Sequence, residues 1–150
     1  MLIRPEWCGS CVGYSGGVNK GKYGQLVGQA GRLGRVRSWV WDRYGSITGV
    51  GVSDRRIRDA WMADGTATSL GVLANAWKGT VRDAVADIRA HREAAKAKVR
   101  RRVGRRPLPD AERKRLYTLL TRDRWTGDPL VRRWMRQQWR RGRGRGGVPG

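Results

Sequence analysis

From Lys22 onward the chain repeats apolar residues at three- and four-residue steps: Tyr23, Leu26, Val27, Ala30, Leu33, Val36, Val40, Trp41 and Tyr44. That spacing puts them on one face of a helix. Gly24, Gly28, Gly31 and Gly34 interrupt it. Each costs up to about 1 kcal/mol relative to Ala, so tertiary packing or the close approach of another backbone has to hold this helix. Gly45 and the Gly49-Val-Gly51 stretch end it. Ser53 (or Asp54) is placed to cap a short second helix, with Ile57, Ala60 and Trp61 inward and Arg55, Arg56 and Arg58 outward. Asp64-Gly65 closes that helix with a turn.

The strongest periodicity follows. Leu70, Leu73, Ala74, Trp77, Val81, Ala84, Val85, Ile88, Ala95 and Val99 form a stripe that predicts one helix of about thirty residues, or about 45 Å. Its outer face carries Lys78, Arg82, Arg89, Arg92, Lys96, Arg100 and Arg101. Gly104 and Pro107 mark its stop. Asp110 is expected to cap a fourth helix that buries Leu116, Leu119 and Leu120. Asp128-Pro129, a cap followed by Pro at the first helical position, opens a fifth. There Leu130, Trp134 and Met135 sit among Arg132, Arg133, Arg136, Arg140 and Arg141. The fold class is therefore all-α, a bundle of about five helices. An irregular Gly/Ser-rich leader over 1–21, with room for a short strand at Leu2-Ile3, precedes a helical domain over 22–141. A disordered Arg-Gly tail over 142–150 follows it. No repeat at solenoid periods is visible.

Charge changes the picture more than length does. The 150 residues hold 33 Lys+Arg against 12 Asp+Glu, a net of +21. Up to Trp77 there are 10 basic and 5 acidic residues; from Lys78 there are 23 and 7. The field is concentrated in the C-terminal half, where a phosphate backbone would be held. Of the basic residues 27 are Arg and 6 are Lys. Arg presents a planar fork that pairs with phosphate in two places and stacks on bases. A GC-rich genome also writes Arg and Gly freely, but codon bias does not generate net charge. No apolar run approaches the ~20 residues of a membrane span, and the N-terminus lacks a signal-peptide layout. Together these point to a soluble, cytoplasmic, nucleoid-associated protein that seeks RNA or DNA and not a membrane.

Little in the chain suggests catalysis. Cys8-x-x-Cys11 has half the spacing of a zinc site, but no other Cys exists and the one His is His91, deep in the long helix. The carboxylates read as helix caps or as partners of Arg one turn away, as with Asp83 and Asp87 between Arg82 and Arg89. No phosphate-cradling loop, nucleophile–base pair or strand-borne acidic cluster is present. The expectation is a non-enzyme with neither metal nor cofactor. Among eight Trp, four (Trp41, Trp61, Trp77 and Trp134) lie on apolar stripes and build a core without Phe. Trp39 and Trp139 fall off the stripes and are candidates for stacking on bases.

The runs Trp41-Asp-Arg-Tyr, Ile57-Arg-Asp-Ala-Trp61, Ala76-Trp-Lys78-Gly-Thr-Val-Arg-Asp83 and His91-Arg-Glu-Ala-Ala-Lys96-Ala-Lys-Val-Arg100 share a family look. So do Ala111-Glu-Arg-Lys-Arg-Leu-Tyr-Thr-Leu-Leu120, Trp125 and Arg132-Arg-Trp-Met-Arg-Gln-Gln-Trp-Arg-Arg-Gly142. They resemble the N-terminal helical recognition region of TnpB-like, transposon-encoded RNA-guided endonucleases, relatives of the type V CRISPR effectors. The resemblance covers roughly residues 22–142 and rests on Trp/Arg spacing. It implies that the helices grip guide RNA and RNA–DNA hybrid through backbone and shape, with Arg82, Arg89, Lys96, Arg100, Arg132, Arg133 and Arg136 as contacts. The family's RuvC-like nuclease domain and four-cysteine zinc element have no counterpart here, so the chain is expected to be a truncated remnant or a stand-alone lobe, with cleavage left to a separate domain or partner chain. The alternative is a small basic structural subunit of a ribonucleoprotein or phage assembly.

Overall fold

A computed structural model describes residues 19–48 and 52–145. Cys8, Cys11, the strand at Leu2-Ile3, the Gly49–Gly51 break and the last five residues of the tail lie outside them. The described chain is all-helical, with no strand. Its elements are α1 (Lys20–Tyr44), α2 (Asp54–Ala63), α3 (Thr66–Ser69), α4 (Ala74–Arg105), α5 (Asp110–Thr121), a 3₁₀ turn (Trp125–Gly127) and α6 (Pro129–Arg145).

Each boundary has a local cause. The Asn19 side chain accepts from the Lys22 N–H at 2.8 Å, which starts α1 two residues earlier than periodicity alone suggests. Gly45 closes α1 by donating to the Trp41 carbonyl, and a Cβ there would collide with that same carbonyl and ring. Ser53, not Asp54, caps α2; its hydroxyl accepts from the Arg56 N–H. After α2, Gly65 takes a left-handed conformation (φ 80°) and Asp64 accepts from the Thr66 N–H at 2.9 Å. This turn creates α3, a single helical turn that the hydrophobic pattern did not predict. As a result Leu70 and Leu73 precede the long helix; Leu70 is buried, but Leu73 is 76% exposed and not on the stripe.

Helix α4 is the spine, and α1, α2, α5 and α6 all pack against it. Trp77, Val81, Ala84, Val85, Ile88, Ala95, Val99 and Val103 form its buried seam. The helix passes through Gly104 and stops at Arg105. Arg106 is extended (ψ 142°) because the ring of Pro107 excludes the helical conformation from the residue before it. Asp110 is not a cap: Pro109 holds that position, and Asp110 is the first helical residue, bound to Arg113 at 3.1 Å. Its charge still suits the N-terminal turn of α5. Asp128 does cap α6, accepting from the N–H groups of Leu130 and Val131 at 3.1 and 3.0 Å, with Pro129 first in the helix. Beyond the domain end expected at residue 141, α6 continues to Arg145, so residues 142–145 are helix and not disordered tail.

The indoles fill the interior. Trp61 and Trp77 pack at 6.0 Å near one end of the core, and Trp125 and Trp134 are buried near the other. Between them Trp41 of α1, His91 of α4 and Trp139 of α6 meet, with ring centroids 5.3 to 6.3 Å apart. The four Trp residues assigned to the core are buried there.

The Asp128 cap generates a pH dependence. Burial tends to raise its carboxyl pKa, but the Val131 N–H, the Arg115 guanidinium and the Leu130 N–H together bring it below the ordinary value. A depressed native pKa contributes stability above the unfolded value of 3.8 that is lost as pH falls through the lower folded value. Replacing Asp128 with Ala is expected to cost about 1 kcal/mol at neutral pH and to flatten the melting temperature against pH below pH ~4. Thermal melts of both proteins across that range check it; parallel curves would refute the assignment.

Candidate nucleic-acid interface

The cationic residues of α4 fall on two flanks with different fates. On the flank predicted to meet nucleic acid, several are bound within the protein. Arg92 donates to the Tyr44 and Ser46 carbonyls at 3.3 and 2.9 Å, tying the end of α1 to α4. Burial, aided by the nearby Arg89, lowers its pKa from the usual value. The Lys96 ammonium sits 3.0 Å from both Glu93 and Asp123. Asp123 reaches it from a left-handed turn (φ 53°) after α5. Arg100 donates to the Thr121 hydroxyl at 2.6 Å and lies over the Tyr117 ring. Lys78 lies 5.9 Å from the Trp77 ring centroid, and exposed Arg82 is 3.6 Å from Asp83. Asp87 is not engaged by Arg89 but pairs with Arg37 of α1. Arg89, Arg92 and Lys96 share a cavity of about 330 Å³ with Glu93 and Asp123, so acids offset much of its charge.

The other flank differs. Lys98, Arg101, Arg102 and Arg105 recur at three- and four-residue steps and share a face of α4. With Arg106 and Arg141 of α6 they line an open groove of about 890 Å³ that also contains Pro107, Gln137 and Gln138 and no acidic side chain. Six cations are collected there. Two are held in place: the guanidinium groups of Arg102 and Arg106 lie 4.6 and 5.0 Å from the centroid of the buried Trp134 ring. Arg102 also donates to Gln137 Oε1 at 3.1 Å.

Of the residues singled out from sequence, only Arg101 enters this groove. Arg132, Arg133, Arg136 and Arg140 are exposed on α6, and their guanidinium groups make no ion pair among the described residues. Trp139 is not a stacking surface for bases: it is 7% exposed and packed on Trp41 and His91. Its position four residues after Met135 continues the buried stripe of α6. Trp39 is 42% exposed and meets Trp61 edge-on at 6.4 Å. It lies beside the Trp61–Trp77 end of the core, roughly 40 Å along α4 from Arg105 at 1.5 Å per residue. The structure therefore does not bring Trp39 to the groove. Lys98, Arg102, Arg105, Arg106 and Arg141 were not picked out as contacts. The run from Arg100 to Arg106 reads first as the end of a helix, and its spacing is informative only once α4 is known to continue through it.

Among the described residues, no three His, Cys, Asp or Glu side chains converge on a metal-sized site, and no helix is long and apolar enough to cross a membrane.

The ion pairs of Lys96 make a structural role distinguishable from a binding one. Burial tends to lower its pKa, but the hydrogen bonds and charges of Asp123 and Glu93 raise it above 10.5. A raised lysine pKa contributes stability fully present below the unfolded value and lost as pH rises through the folded one. Lys96→Ala is expected to lower the melting temperature at pH 7, with the difference from the parent shrinking above pH ~10.5, while polynucleotide affinity changes less than twofold. A large affinity loss in a protein that melts normally would return Lys96 to the interface. Comparison of the chain with protein-family models, with curated proteins and with solved structures finds no match.

Proposed function

We propose that this chain is a non-catalytic nucleic-acid-binding module that holds RNA or an RNA–DNA hybrid by its sugar-phosphate backbone. The observation that carries the reading is the groove between the end of α4 and α6, with six basic side chains and no acid in its lining. Neutralising phosphates there releases condensed counterions, which is the dominant sequence-independent contribution to nucleic-acid affinity. The arginines fixed on Trp134 lose less rotamer freedom on binding than free surface arginines would. The reading agrees with what the TnpB-like resemblance implies, a helical lobe that grips the guide without cutting, and it places the grip on residues that resemblance does not name.

Labelled single-stranded RNA titrated at several salt concentrations tests it. Each cation removed lowers the slope of log K against log[salt] by about 0.7, so the triple variant Arg101→Ala, Arg105→Ala, Arg141→Ala is expected to lose about 2 from that slope. An unchanged slope would overturn the groove assignment.

A second reading, a basic subunit completed by a partner in a ribonucleoprotein or phage assembly, is favoured by one feature. Tyr23, Leu26 and Val27, on the apolar face in the first half of α1, stay exposed. In that case the chain alone is expected to associate at micromolar concentration, with a mass by light scattering above 16.9 kDa. A monomer that melts cooperatively would reject it.

A further inference from the structure

We infer that the arginine-lined groove takes an unpaired strand, with phosphates along its two rims and base edges on the amides of Gln137 and Gln138. This rests on the nucleic-acid reading and deepens it. The groove is an open cleft between the end of α4 and α6. A duplex presents mainly its phosphates to such a cleft, because its base edges lie within its own grooves, whereas an unpaired strand presents phosphates and base edges together.

The distribution of chemistry across the groove points the same way. Lys98, Arg101 and Arg105 on α4 face Arg141 on α6 across it, giving cationic groups on both walls. The same lining carries groups of another kind. Two amides and the guanidinium planes over Trp134 are suited to the edges and faces of bases. Gln137 accepts from Arg102 through its Oε1, which leaves its amide N–H groups to donate elsewhere. Gln138 is half-buried and makes no side-chain hydrogen bond among the described residues. Its paired donor and acceptor match the N6–H and N7 of adenine, the bidentate partner of a Gln amide. Recognition of base edges combined with backbone charge is the mode used for unpaired strands, because the deep, narrow groove of an RNA duplex hides those edges.

The test uses the full chain and labelled 12-mers of oligo(A), oligo(U) and a blunt A·U duplex of the same length. Single strands are expected to bind about tenfold or more tightly than the duplex, and oligo(A) about fivefold or more tightly than oligo(U). Gln138→Ala is expected to abolish the A-over-U preference while leaving the salt slope unchanged, and Gln137→Ala to weaken both strands equally. Circular dichroism melts show whether each variant folds, and Gln138→Asn, which keeps the amide on a shorter arm, serves as a second variant. Equal or tighter binding of the duplex overturns this inference but leaves nucleic-acid binding standing. A preference for single strands that survives Gln138→Ala with its base ratio intact overturns the edge contact. No binding to any probe at low salt overturns the nucleic-acid reading itself, and this inference with it.

Discussion

The structure depends on one buried seam, the face of α4 that runs from Trp77 to Val103. Four other helices pack against α4. The helices that flank it are poor formers or short: α1 carries four interior glycines and α5 has no side-chain cap. Short or glycine-rich helices are marginal in water, and packing of an apolar face is what makes them persist. Burying a side chain such as Val99 or Leu116 is worth about 1.5–3 kcal/mol, which is the scale on which each flanking helix is retained. Where α1 extends past the seam, Tyr23, Leu26 and Val27 have nothing to pack on and stay exposed.

The same seam decides where charge can go. A bundle with a net charge of +21 works against its own compactness, and neighbouring like charges at about 7 Å repel by on the order of 0.5 kcal/mol each in a water-like medium. On one flank of α4 the protein answers with acids, Glu93 and Asp123 on Lys96. At the C-terminal end of the other flank it does not. There Arg102 and Arg106 are stabilised by the face of an indole. An indole steadies a guanidinium without cancelling its charge, so the groove remains a strong positive field.

Much of the fold is legible in the sequence because it rests on local rules. The periodic stripe of α4, the Ser53 cap and the Asp128-Pro129 start of α6 are written in a few neighbouring residues each. Features that depend on contacts distant in the chain are not. Leu70 and Leu73 fit the helical period, but the left-handed Gly65 and the Asp64–Thr66 hydrogen bond commit the chain to a separate turn first. Trp139 looks peripheral until α6 is seen to bring it against Trp41, nearly a hundred residues earlier. The site is the least legible part for the same reason. Period alone shows which basic residues share a face of α4, but not which face finds Asp123 opposite and which finds Gln137 and Arg141.

An uncompensated cationic groove on a marginally stable bundle has a thermodynamic consequence. Its charges repel in the free protein, and a polyanion removes that repulsion while it gains its own contacts. Binding and folding are therefore linked, because a ligand that occupies only the native groove stabilises the bundle by mass action. The linkage is concentrated at the α4–α6 contact, since the groove walls belong to those two helices and Trp134, beneath Arg102 and Arg106, is part of the core that joins them. One indole thus serves packing on its inner side and charge placement on its outer side. That shared duty sets the acid-free cationic groove directly over the hydrophobic core.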